Sequence, residues 1–307
     1  MESLLWASFV CREWPGLKRR KGFTKWLNRL PGMERLGDLT MAILTVSREF
    51  GSGGQEIGQA VASLNGYEYI DKQKIMSDIS RAGHKWEEWS RELDESRPSI
   101  WERFDWSFRG FGALIQSVIL EYAARDNVVI MGRGGNWVLK GVPHALRIHV
   151  VAPMEVRVER IMARDAVDMA TARWLAEKTD RERSGFCNAL YGGRWDDPSE
   201  YDMVFDTGVQ PLEDVVSIVR ELLVARERRN TVQARKSLEM KAAAGRIKAG
   251  LLTNPRLFIP TLDADYDGSH IVLEGIIHNP REHDKVEREA RKLAGDLPIL
   301  CRLHYRG

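Results

Sequence analysis

The sequence contains no run of about 18 apolar residues, so it offers no helix able to span a bilayer. Cysteine is scarce: Cys11, Cys187 and Cys301 are the three in 307 residues, and they lie far apart. That excludes a disulfide framework, provides no metal-ligand spacing and fits a reducing, cytoplasmic setting. Net charge is small, with 46 basic against 44 acidic residues, and makes no case for a nucleic-acid partner. No internal repeat or low-complexity tract is present. The opening stretch MESLLWASFVCREW is interrupted by charge too early to read as a signal sequence.

What is present is ordinary for a globular protein: 43% hydrophobic and 29% charged residues, over a length that suits two domains. The charge is unevenly spread. Basic segments at 1–40 and 226–250 flank an acidic body. Residues 1–40 are expected to form a disordered extension, although GLKRRKGFTKWLNRL also suits an anionic membrane surface. The segment 226–250 reads as a basic helical linker.

Apolar runs at AILTV (42–46), NVVIMGRGGN (127–136, running into a second glycine loop), ALRIHVVAP (145–153, stopped by Pro153) and YDMVFDTG (201–208) read as strands of a buried parallel sheet. Helical patterns separate them. The expected fold is α/β: a doubly wound parallel sheet over 41–225, with a helical insert and a lid. In such sheets ligands gather at the carboxyl ends of the strands, which brings the loops 47–54, 132–136 and 206–210 together. Residues 236–307 change character. Helix, hairpin, helix and strand patterns predict a small α-β-β-α-β unit.

The stretch SREFGSGGQEIG (47–58) follows the first strand and opens a helix. Glycines there let backbone N–H groups converge on phosphate, and the helix N-terminus adds partial positive charge. Aligned to G-x-x-x-x-G-K-[ST] on Gly53, the loop has Gly54 where the pattern has lysine and Gln55 where it has a hydroxyl. The backbone cradle survives and the cation does not. Taken alone, such a loop reads equally as a structural turn.

The loop, with YEYIDKQKI, VVIMGRGGNWVL, PHALRIHVVAPMEVRVERIM, KTDRERSGF and DPSEYDMVFDTG in order, resembles the cytidylate kinase-like family, relatives of nucleoside monophosphate kinases. The resemblance covers about residues 41–225. It implies a P-loop fold with an acceptor-binding insert and an arginine-bearing lid, and an enzyme using ATP and Mg2+ on a nucleoside monophosphate such as CMP or dCMP. Gly51, Ser52, Gly53, Gly54 and Gln55 would then cradle the ATP phosphates. Arg48 would replace the missing cation, since a guanidinium is always charged and binds phosphate bidentately; the other reading is an ion pair with Glu49. Arg181 and Arg183 would act in catalysis. Arg157, Arg160 and Arg164, on one helix face at i, i+3 and i+7, would form the lid with Asp180.

Arg133 would hold the acceptor phosphate. CMP kinases follow the corresponding arginine with aspartate, and here Gly134 stands there, which puts cytosine recognition in question. Asp71 either contacts ribose or magnesium or caps a helix. Asp206 is a candidate magnesium ligand. Trp86, Trp89, Trp101 and Trp106 in the insert suit either base stacking or packing.

Residues 236–307 resemble a BON domain through YDGSHIVLEGII, REHDKVEREARKLAG and PILCRLHY. That resemblance implies docking to a partner or a membrane surface. Three functions therefore compete: a kinase, a nucleotide sensor that binds without transfer, and a membrane-associated adaptor.

Overall fold

A computed structural model describes residues 41–81, 106–278 and 280–305. The expectations for residues 1–40, and for Trp86, Trp89 and Trp101, lie outside the described residues, as does the side chain of Trp106.

The first domain is built on a five-stranded, all-parallel sheet. In chain order it comprises β1 (Ile43–Arg48), α1 (Gly54–Asn65), β2 (Glu68–Ile70), α2 (Lys72–Ser80), α3 (Trp106–Ala123), β3 (Val128–Met131), α4 (Gly135–Val138), β4 (Ala145–Val151), α5 (Met154–Asp165), α6 (Met169–Tyr191), β5 (Met203–Asp206) and α7 (Leu212–Glu227). The strand order is β2-β3-β1-β4-β5. β1 is central, pairing Ile43–Val46 with β3 and Ile43–Arg48 with β4.

Alternation along β1 feeds two cores. Ile43 packs with α2, α3 and Phe186 on one face. Leu44 and Val46 pack with α1 and α7 on the other. Burial on both faces explains why these strands read as continuous apolar runs.

Short-range chemistry sets the element ends. Gly53, left-handed at φ 85°, is the N-cap of α1, and Gly66 at φ 69° closes it with its N–H on Ala62 O. The Asp71 carboxylate caps α2 by accepting from Lys74 N at 3.0 Å. Asp168 caps α6 in the same way through Thr171 N. The switch in strand order lies beside β1. The loop after β1 therefore opens into the crevice where the βα loops on its two sides diverge.

The C-terminal unit is a separate mixed sheet. It comprises α8 (Val232–Leu252), β6 (Thr261–Tyr266), β7 (Ile271–Ile277), α9 (Pro280–Ala294) and β8 (Ile299–Tyr305). β6 and β7 pair antiparallel, and β7 and β8 pair parallel. The hairpin turns at Gly268, φ 103°, where the Asp267 carboxylate accepts from Ser269 N and His270 N. α8 is not a free-standing connector. Its small buried residues Ala242, Ala243, Ala244 and Gly245 pack against α3, and Ile247, Leu251 and Leu252 enter the C-terminal core. A Cβ at Gly245 would meet Leu120 Cδ1 at 3.0 Å, so glycine permits the close crossing of α8 and α3.

Candidate active site

The glycine loop forms one wall of a cavity lined by Arg48, Gly51, Gly53, Gly54, Gln55 and the arginines 160, 164 and 183. The loop is held from three sides. Ser52 is fully buried, and its hydroxyl donates to Glu49 O at 2.9 Å. Arg160 donates to Ser52 O and to the hydroxyl and carbonyl of Thr207 at 2.8–3.1 Å. Asp180 accepts from Phe50 N at 2.8 Å.

Arg157, only 6% exposed, is ion-paired with Asp180 and with Glu49 and donates to Phe50 O. Two arginines of the expected lid, Arg157 and Arg160, are therefore engaged by protein groups and fix the loop's shape. Arg164 pairs with Asp165 and lies 4.6 Å over the Phe50 ring, at the cavity wall.

Glu49 does not pair with Arg48. Its carboxylate accepts from Ala152 N at 3.0 Å and faces Arg157, and burial shifts its pKa upward against those contacts. Arg48 is left to face the two cavities. Its stem crosses the start of α1: a Cβ at Gly54 would sit 2.5 Å from Arg48 Cβ and 3.2 Å from Val150 Cβ. Its Nη1 occupies the space that a side chain on Gly132 would need. The glycine at the lysine position and the arginine six residues earlier are thus one steric arrangement.

A second cavity adjoins the first. Ser47, Lys72, Arg133, Gly134, Asn136, Glu182, Phe186 and Trp195 line it, and Arg48 and Arg183 line both. Arg183 Nη1 donates to Arg48 O at 2.8 Å. Burial, with Arg48 and Arg133 close by, pushes the Arg183 pKa down to about 9, against the pull of Asp180. Burial also lowers Arg48, partly offset by Tyr69 and Asp71. Arg133 stands at φ 56°, with its guanidinium 4.9 Å over the Phe186 ring. A non-glycine residue at positive φ is strained and needs tertiary support. Here Tyr191 Oη donates to Arg133 O at 2.7 Å.

Two desolvated guanidinium groups, Arg48 and Arg183, meet in this crevice with Asp180 3.8 Å from Arg183, and such perturbed groups concentrate at functional sites. The neighbouring Cys187 thiol adds no negative charge, because burial pushes its pKa up to about 12.

The remaining expected residues make contacts with the protein itself. Arg181 points outward and pairs with Glu177, its side chain 59% exposed, and it lines neither cavity. The Asp71 carboxylate is used as the cap of α2. Asp206 accepts from Gly208 N at 2.8 Å. Among the described residues, no three His, Cys, Asp or Glu side chains converge on a metal-sized site. The loop also has Gln55 where the pattern has a hydroxyl ligand. Mg2+ needs no such cluster, because it usually keeps several waters and is held through one or two carboxylates together with substrate phosphates.

The model of the cytidylate kinase-like family matches residues 43–209, which include every residue lining the two cavities except Leu212. The chain belongs to the cytidylate kinase-like family. It is 26% identical to the cytidylate kinase of Thermoplasma acidophilum over 182 residues, 58% of this chain and 91% of that protein. It is 29% identical to the cytidylate kinase of Pyrococcus abyssi over 180 residues, again 58% and 91% of the two chains. Among solved structures, an uncharacterized protein from Eubacterium ventriosum aligns over 60% of this chain and 99% of that one, at TM-score 0.49 and 18% identity.

Within this family frame, position 134 is built against an aspartate. Gly134 has φ 75°, and a Cβ there would lie 2.0 Å from Tyr191 Cε2 and 2.4 Å from its Cζ. That ring is itself fixed by stacking on Trp137, centroids 5.4 Å apart, and by its bond to Arg133 O. Gly134→Asp is expected to destabilise the protein by more than about 2 kcal/mol, through positive-φ strain and overpacking. Thermal denaturation should show a fall in Tm of several degrees. An unchanged Tm would show that Tyr191 does not fill this space.

Sequence reasoning missed Tyr191, Thr207 and Asn136. Tyr191 lies outside every motif, and Thr207 was visible only as part of VFDTG. Asn136 was visible only as the end of MGRGGN.

Proposed function

We propose that the protein transfers the γ-phosphoryl group of ATP to a nucleoside monophosphate, with Mg2+ carried in on the nucleotide. The observation that supports this most directly is the pair Arg48 and Arg183, which line both the glycine-loop cavity and the adjoining one. Phosphoryl transfer needs two phosphates held in line and the transferred charge neutralised, with little covalent chemistry from the protein. The glycine loop would hold the donor phosphates. Arg133, beside the second cavity, would hold the acceptor phosphate. Arg48 would take the place of the P-loop lysine, and Arg183 would bridge donor and acceptor. CMP and dCMP are the first acceptors to test, on the strength of the relatives' names.

A second reading is a sensor that binds nucleotide without transfer. Gln55, standing where the loop pattern has its magnesium-binding hydroxyl, favours it, and so does the close packing of α8 on α3, which links the C-terminal unit to the nucleotide domain. The unit over 236–307, read as BON-like, would then dock a protein or a membrane surface.

The deciding experiment incubates the full chain with ATP, Mg2+ and each nucleoside monophosphate in turn and measures ADP and nucleoside diphosphate. Turnover on one acceptor establishes the kinase. ATP binding by calorimetry with no turnover on any acceptor overturns the kinase and selects the sensor.

A further inference from the structure

We infer that Phe50 is a positioning residue for phosphoryl transfer, its ring holding the guanidinium groups of Arg164 and Arg183 where they meet the phosphates of ATP. This rests on the phosphoryl-transfer reading of the glycine-loop cavity, which Phe50, Arg164 and Arg183 line together. Arg164 lies 4.6 Å over the Phe50 ring, and Arg183 lies 5.7 Å over it. Both distances are within reach of the attraction that the negative face of an aromatic ring exerts on a guanidinium.

The two arginines come from different helices, α5 and α6, and carry like charge. Like charges repel, so bringing both to one wall needs a common anchor. A carboxylate in that place would cancel the charge that a phosphate must meet. A ring attracts the cations without a formal charge of its own. Asp165 takes Nε and Nη2 of Arg164, and the Arg48 carbonyl takes Nη1 of Arg183. A guanidinium has five N–H donors, so both retain donors for a ligand.

Phe50 is itself fixed. Its N–H donates to Asp180 at 2.8 Å, and its carbonyl accepts from Arg157 at 3.4 Å. Its side chain packs against the small core of α5 and α6 formed by Val158, Ile161, Ala172 and Ala176. The ring is therefore a rigid platform at the rim of the glycine loop, and it acts on the phosphates through the two arginines.

The test uses the full chain, Phe50→Leu, and chains carrying mono-, di- and trifluorinated phenylalanine at position 50, with ATP, Mg2+ and CMP, dCMP, UMP, AMP or GMP. Each fluorine draws electron density off the ring face and weakens its hold on a cation, while the ring's size and apolar character barely change. The value of kcat/KM for ATP should fall about tenfold in Phe50→Leu, the worth of the two contacts. It should fall stepwise towards that level through the fluorinated chains, whose ligand-free Tm should stay level.

A kcat/KM for ATP that is level across the fluorinated chains, or that falls only together with Tm, overturns the inference and leaves the kinase standing. If the wild type binds ATP without turning over any of the five acceptors, the kinase reading fails, and the same series read on the ATP dissociation constant decides the role of Phe50. A wild type that neither binds ATP nor turns it over overturns both.

Discussion

Restoring the lysine that the glycine loop lacks is expected to silence the protein. In Gly54→Lys the new Cβ would lie 2.5 Å from Arg48 Cβ, 3.1 Å from Arg48 Cγ and 3.2 Å from Val150 Cβ. These atoms belong to side-chain roots on a central strand and its neighbour, which cannot swing aside. The variant should lose thermal stability and all measurable transfer. Arg48→Ala removes the cation but keeps the fold. Its kcat should fall about 10²–10³-fold, the usual cost of deleting one preorganised group that stabilises developing charge.

The decisive variant is the exchange Arg48→Gly with Gly54→Lys. It removes the obstructing Cβ and returns a cation to the loop, so stability and part of the activity should reappear together. Circular dichroism melts and a coupled ADP assay read both. Wild-type turnover in Gly54→Lys would falsify the steric arrangement and, with it, the role given to Arg48.

The second large effect concerns Arg183, where stability and activity should move in opposite directions. Its pKa is pushed down to about 9 by burial and by Arg48 and Arg133. For a cation, a folded-state value below the unfolded one means that holding the charge disfavours the folded protein. That penalty is fully present at neutral pH.

Replacing the cation by an apolar side chain of similar length should therefore leave the ligand-free Tm of Arg183→Met equal to or above that of the wild type. The rise in Tm on adding ATP should be lost. A bound phosphate is what offsets the charge, and a ligand stabilises only in proportion to its affinity for the folded state. Turnover should fall about 10²–10³-fold. Thermal shift with and without ATP, together with the ADP assay, separates the cases. A lower ligand-free Tm with the ATP shift intact would mean that Arg183 serves only as a strut to the Arg48 carbonyl.

The sequence alone determined the alternation of strands and helices over 41–225, the glycine loop after β1 and the change of architecture from residue 236. These are readable because apolar periodicity and capping chemistry act over a few residues: Gly53 and Gly66 bound α1, and Asp71 and Asp168 cap α2 and α6. It also identified the arginine-rich segments. What it left open is what each arginine faces. A spacing of i, i+3 and i+7 places Arg157, Arg160 and Arg164 on one side of α5, yet it contains nothing about the Glu49, Asp180 and Thr207 groups that engage two of them. Arg181 and Arg183 sit in one motif, but two residues turn a helix by about 200°. One side chain pairs outward with Glu177 while the other enters the crevice.

Asp71 had two readings of similar weight, and the helix cap is the one its hydrogen bond to Lys74 N shows. The reason Gly54 is not lysine, the closure of position 134 by Tyr191 and the meeting of Arg164 and Arg183 over the Phe50 ring were decided by tertiary structure. Each depends on atoms that only packing brings within a few ångströms, and steric exclusion and cation–ring attraction are properties of such contacts.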